Sequence, residues 1–233
     1  MEDLITVILS GNYPRAFAIL RDRKPFIKRD SYGWTPMHAA AFRDDYLLIQ
    51  PLLRAGCSLT SFCEEGETPV HIAASSKWPR FLDKVLDPSL ICIRANNEFG
   101  RMPLHSAAAY GQIKAVKTLI GAGVDPDVRD LYGCTVMHHA VFSRDQPRMI
   151  YELAMRGVPI HDVENGAGES ALEFAVFNGF WGSAKTLIDM GAYSKNIDQK
   201  WLKFINPPNA VGWSSVIPAR RPALKIGGRD QLP

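Results

Sequence analysis

The 233-residue chain is poor in cysteine. The four present (Cys57, Cys63, Cys92 and Cys134) form no CxxC pair and keep no regular spacing. That argues against a disulfide framework or a zinc ribbon. It fits a reduced intracellular protein, cytoplasmic in the first instance, with nucleus or cytoskeleton also open. No run of 18 apolar residues occurs, so no membrane insertion is expected. The start, Met1 to Leu9, carries Glu2 and Asp3 where a signal peptide needs basic residues, and it lacks a small-residue cleavage site. No GxSxG, HExxH or phosphate-cradling glycine loop is present. Gly121-Ala122-Gly123 comes closest, but it is expected to end a helix rather than open one. The carboxylate pair Glu64-Glu65 has no nucleophile beside it. These absences predict no enzyme: no catalytic residue, no metal, no cofactor and no small-molecule substrate. A strong charge of one sign is also missing. The net charge of +3 divides into −2 over residues 1–194 and +5 over residues 195–233, so the basic balance belongs to the tail. Seven dispersed cations there are weak support for nucleic-acid binding.

What the chain does have is a period. Thr35-Pro36-Met37-His38-Ala39-Ala40 returns as Thr68-Pro69-Val70-His71-Ile72-Ala73, then as Met102-Pro103-Leu104-His105-Ser106-Ala107 and Thr135-Val136-Met137-His138-His139-Ala140. Ser170-Ala171-Leu172-Glu173-Phe174-Ala175 is a degraded fifth copy. The spacings are 33, 34, 33 and 35 residues, and a glycine (Gly33, Gly66, Gly100, Gly133, Gly168) stands five residues before each His or Glu. Each unit reads as turn, helix, loop, helix. Proline falls on the first helical turn, where its missing N–H costs nothing. The apolar pairs Leu52-Leu53, Val85-Leu86, Leu119-Ile120 and Leu187-Ile188 are expected to fill the core from the second helix. Gly56, Gly123, Gly157 and Gly191 are expected to cap those helices. Asp145-Gln146-Pro147 is an insertion, as is Trp78-Pro79, and both are expected to distort a loop locally without loss of register.

A Thr-Pro-x-His core at this period resembles the ankyrin repeat. The resemblance covers residues 1–194 and implies an all-α ankyrin-repeat solenoid. It comprises a capping repeat at 1–29 and repeats near 30–62, 63–96, 97–129, 130–164 and 165–194, followed by a Pro-containing basic and aromatic tail at 195–233. In that family the histidine hydrogen-bonds within and between turns. This role carries to His38, His71, His105 and His138 and changes at Glu173. A metal reading of these histidines is weak, since equivalents in stacked repeats stand too far apart to share an ion.

The resemblance also implies protein–protein recognition through a concave face built from the turn tips and the first helices. The exposed positions of the family, carried over, give Tyr32, Trp34, Phe42, Arg43, Glu64, Glu65, Glu67, Phe99, Arg101, Tyr110, Tyr132, Phe142 and Phe177 as partner-binding candidates. Eight of the 25 such positions are aromatic, against 10% of the chain, and exposed aromatics are common interface anchors. The competing account is structural: each aromatic is covered by its neighbour or by the tail, with Phe42 and Phe142 the first to pack inward. Trp201, Phe204 and Trp213 mark the tail as an anchor. The function expected is therefore a scaffold or adaptor within a hetero-complex. A structural subunit of a large assembly held by its tail is the alternative. A ubiquitin-ligase substrate receptor is the third reading, and it fits poorly because the tail shows no Leu- and Cys-containing helix.

Overall fold

A computed structural model describes residues 3–21, 28–77, 79–85, 96–142, 144–160, 164–193 and 197. Trp201, Phe204 and Trp213, with the other tail residues except Ile197, lie outside the described residues, as do Trp78, Leu86 and Cys92. Within them the chain is helical, with no strand; two isolated antiparallel bridges, Arg129 with Thr135 and Glu164 with Ser170, pin two turns. The helices come in pairs: α1 (Leu4–Leu9) with α2 (Tyr13–Arg21), α3 (Pro36–Phe42) with α4 (Ile49–Arg54), α5 (Pro69–Ala74) with α6 (Arg80–Val85). They continue as α7 (Pro103–Ala109) with α8 (Ile113–Gly121), α9 (Val136–Ala140) with α10 (Pro147–Ala154), and α11 (Ala171–Phe177) with α12 (Trp181–Asp189). They pack as two units, one of 1–107 with 114–124, the other of 108–113 with the described residues from 125 onward.

Each start and stop has a local cause. Thr35 and Thr68 stand extended at the N-cap of α3 and α5, with Pro36 and Pro69 just inside. α4 ends where Gly56 takes φ of 91°, which lets Cys57 N–H reach back to Leu52 O at 2.9 Å. Small residues then let helices approach. Ala39, Ala40 and Ala41 of α3 are fully buried, and α3 packs against both α1 and α5. In the second unit α9 packs on α10 and α11, and α10 on α12.

The second-helix pairs do not fill the core as pairs. Leu52, Leu119 and Leu187 are fully buried, whereas Leu53 is 37% exposed and Ile120 and Ile188 are half-buried. Neighbours on a helix are about 100° apart, so only one of two adjacent residues faces the layer beneath. The Asp145-Gln146-Pro147 insertion is likewise more than a distortion. Asp145 accepts from Gly182 N–H at 3.0 Å and Ser183 N–H at 2.6 Å, and so caps α12 from another repeat. Gln146 is buried and its Nε2 donates to the carbonyls of Ala109 (3.1 Å) and Ala140 (3.0 Å), tying the ends of α7 and α9.

Candidate functional site

The repeating histidines build the interior of the turns. His38 Nδ1 accepts from Thr35 N–H at 3.0 Å, which leaves the proton on Nε2, where it donates to Glu67 O of the next turn at 3.1 Å. His138 repeats this with Thr135 N–H (3.2 Å) and Glu169 O (3.0 Å). His71 reaches Arg101 O at 2.7 Å. At His105 the cap position is Met102, so only the backbone N–H at 3.0 Å is available to Nδ1 from that residue. Burial pushes the pKa values of His38 and His138 down to about 4, so both rings are neutral near pH 7. Glu173 Oε2 accepts from Ser170 N–H at 2.9 Å, and Ser170 Oγ accepts from Glu173 N–H at 3.2 Å. A carboxylate performs this capping but carries no proton to pass onward. Among the described residues no group of three His, Cys, Asp or Glu is placed to hold a metal ion.

Just outside this interior the turns are tightened by Asp30, Asn97, Asp130 and Asn165. Each carboxylate or amide oxygen accepts the N–H groups two and four residues on. Successive turns also bond to each other: Glu64 N–H to Tyr32 O at 3.0 Å in the first unit, Gly166 N–H to Tyr132 O at 2.7 Å in the second. The approach is so close at Gly66 (φ 69°) that a Cβ there would stand 2.8 Å from Glu98 N. The rigid turns fix which side chains face water. Tyr32 is 52% and Tyr132 56% exposed; Phe42, Phe177, Arg43, Glu64 and Glu65 are exposed as well. Glu67, Phe99, Arg101 and Tyr110 are half-buried, and Arg101 lies with its guanidinium 5.0 Å from the Phe99 ring centre.

Two candidates are not at the surface. Trp34 is 8% exposed because it is covered from two sides, by His38 at 6.4 Å and Phe42 at 5.5 Å between ring centres. Phe142 is 6% exposed, packed between His139 at 4.9 Å and Phe174 at 4.7 Å. Its equivalent Phe42 stays 42% exposed, so the expectation that both pack inward holds for one of the two.

Other contributors were missed in the sequence. Arg29 bonds to Phe62 O, and Arg129 bonds to Glu164 O at 3.0 Å, each spanning one repeat. A repeating arginine nine residues before the histidine is the signal that would have found them. Phe62 adds a half-exposed ring beside the Tyr32 and Glu64 turn. Asp44 has a positive φ of 60° where Gly11, Gly111 and Gly179 stand in other repeats, and it accepts from Phe81 N–H at 2.6 Å.

Helix pairs stacked by histidine and backbone bonds between turns define a repeat protein whose variable side chains sit on the turn tips. The profile described as Ankyrin repeats (3 copies) matches residues 41–130, 88–164 and 104–200, and the chain belongs to this family. It is similar to the mouse B-cell lymphoma 3 protein homolog, 29% identical over 69% of this chain and 36% of that protein. It is also similar to the probable 26S proteasome regulatory subunit p28 of Saccharomyces cerevisiae, 29% identical over 48% of this chain and 50% of that one. The chain thus matches half or less of the length of these relatives. Among solved structures, the ankyrin repeat domain of Bcl-3, of the IkappaB protein family, superposes with a TM-score of 0.68 at 25% identity, covering 83% of this chain and 88% of that one. An ankyrin repeat domain from Acinetobacter baumannii reaches 0.63 at 21% identity over 82% of this chain and 98% of that one, which shows the fold alone. Ankyrin repeats are in general non-enzymatic modules that bind protein partners. No helix among the described residues is long and apolar enough to cross a membrane.

Proposed function

We propose that this chain is a non-catalytic scaffold or adaptor of the cytoplasm that binds a protein partner through its turn tips and first helices. The observation that carries the reading is the division of labour within each turn. The inward groups are spent on hydrogen bonds between repeats, while Tyr32, Glu64 and Glu65 of adjacent bonded turns project into water. On the first unit the binding set is Tyr32, Phe42, Arg43, Glu64, Glu65, Glu67, Phe99 and Arg101; on the second it is Tyr110, Tyr132 and Phe177. Rings anchoring apolar side chains, with carboxylates between them, suit a segment that carries a Lys or Arg. The likeness to a proteasome regulatory subunit favours a second reading, a subunit of a large assembly, in which the tail residues Trp201, Phe204 and Trp213 serve as the anchor.

The test is affinity capture with the full-length chain, then titration of the captured partner against variants. Tyr32→Ala is expected to weaken binding at least tenfold with an unchanged melting temperature. Glu64, Glu65 and Glu67 changed together to Gln are expected to slow association and flatten its salt dependence. Normal binding by all of these variants would remove the turn tips as the site and leave the tail reading in its place.

A further inference from the structure

Apart from the turn tips, the first unit carries a second surface of distinct chemistry. Between α6 and α8 runs a groove of about 330 Å³ lined by Pro79, Arg80, Asp83, Lys114, Lys117 and Thr118. Its three cations and one carboxylate leave a net lining charge of +2. Lys114 and Lys117 are three apart on α8 and so share a face of the helix.

Arg80 is held in place before any ligand arrives. Its Nε donates to Asp44 Oδ2 at 2.6 Å, and its guanidinium lies 5.6 Å from the centre of the Tyr46 ring. The Asp44 carboxylate is itself fixed, since Oδ1 accepts from Phe81 N–H and the side chain is only 8% exposed. Yet the Arg80 side chain is 65% exposed, and its two Nη groups make no hydrogen bond within the described residues. Asp44 offsets the charge of Arg80 but occupies only one of its five N–H donors. Across the groove Thr118 Oγ1 donates to Asp83 Oδ1 at 3.3 Å, which holds the one acidic group to the side.

We propose that this groove binds a phosphorylated serine or threonine side chain of a partner protein. A planar guanidinium already oriented by its Nε presents a fork that matches two phosphate oxygens. Lys114 and Lys117, which also interact within the fold, add positive charge beside a phosphate of about −2. The volume is at the low end for ligand sites, the size for one phosphorylated side chain and its flanking backbone rather than for a large cofactor. Asp83 argues for a peptide over a free ion. A carboxylate accepts a backbone N–H, which a peptide offers and a free ion does not. This site does not depend on the turn-tip reading and shares no residue with it.

The test uses the full-length chain and a degenerate peptide library with a fixed central phosphoserine or phosphothreonine, against the same library unphosphorylated. Peptides selected from the first are expected to bind at least tenfold more tightly than their unphosphorylated forms. The preference is expected to fall to less than threefold in the Lys114→Gln/Lys117→Gln double variant, whose exposed changes leave the fold intact. Arg80→Lys, which keeps charge but loses the fork, is expected to lose most of it, and Tyr32→Ala none. Equal binding of the two libraries, or a preference unchanged in the double lysine variant, would overturn the proposal. So would inorganic phosphate binding as tightly as the peptides, which would make the groove a site for the free ion. Preferential binding to vesicles containing a phosphoinositide would overturn it in favour of a membrane surface.

Discussion

Phe42 and Phe142 stand at the same place in their repeats, four residues after the repeating histidine, and their fates differ. Phe142 has His139 on one side and Phe174 on the other. At the corresponding positions around Phe42 are Ala39 and Ile72. Alanine has no ring to lay against, so Phe42 rests on Trp34 instead and keeps an open side. What decides burial is the residue one position past the histidine, in the same repeat and in the next. A repeat position is therefore exposed or buried only in the context of its two neighbours.

The contrast is broken most forcefully at Phe142. Phe142→Ala is expected to cost about 3–5 kcal/mol, because it empties a packed site between two rings that have little room to collapse. Denaturant unfolding measures it, and a loss under about 1 kcal/mol would mean that the aromatic stack contributes nothing the fold needs. Next comes the histidine ladder. His71→Ala is expected to cost about 1–3 kcal/mol, since Arg101 O and Thr68 N–H lose their buried partner. Glu173→Gln should cost much less. The amide oxygen still accepts from Ser170 N–H, and only the charge is lost at the start of α11. Equal losses in the two variants would show that the bond passed to the next turn has no weight of its own.

The helices and the capping role of the histidines were legible in the sequence because they rest on short-range chemistry. A Thr-Pro-x-His string specifies an N-cap, a proline at the first turn and a ring nitrogen at the right distance, all within four residues. Which side chains stay exposed was legible only in part. Tyr32 and Tyr132 were placed correctly because they sit at the tip of a turn that the Asp at position −8 from the histidine tightens. Trp34 was not, because His38 and Phe42 cover it; Phe142 packs inward as the structural account expects, but its cover, Phe174, belongs to a different repeat. Asp44 and Asp145 are harder still. Their partners, Phe81 N–H and the Gly182 and Ser183 N–H groups, lie 37 and 38 residues away and carry no side-chain signature of being capped.

The ladder also sets an acid limit. His38 and His138 have pKa values near 4 in the folded chain and about 6.5 when unfolded. A depressed histidine pKa means that the unfolded state takes up the proton first. Their contribution is thus complete above about pH 6.5 and is lost progressively as pH falls toward 4. Asp130 acts lower. Burial alone would raise its pKa, but the hydrogen bond from His139 and the N–H groups of Cys134 and Tyr132 outweigh that and hold it at about 2. Its share is complete above the ordinary value of 3.8 and is lost as pH falls from there toward 2. Stability measured against pH should fall between 6.5 and 4, and His38→Gln should flatten that fall. An unchanged slope in the variant would mean that His38 is not buried as a neutral ring.

Between the two phenylalanines the smaller effect on stability is expected at Phe42, and it sharpens the comparison most. Because the ring is 42% exposed and leaves no closed cavity when removed, Phe42→Ala should cost about 1 kcal/mol or less. Its removal uncovers one face of Trp34, so acrylamide quenching of tryptophan emission should increase. The increase should disappear when Trp34→Phe is added, which assigns it to this indole among the five in the chain. If Phe42 also anchors a partner, the same variant weakens binding far more than it weakens the fold. A variant that loses several kcal/mol with no change in quenching would place Phe42 in the core beside Phe142, and the difference between the two repeats would vanish.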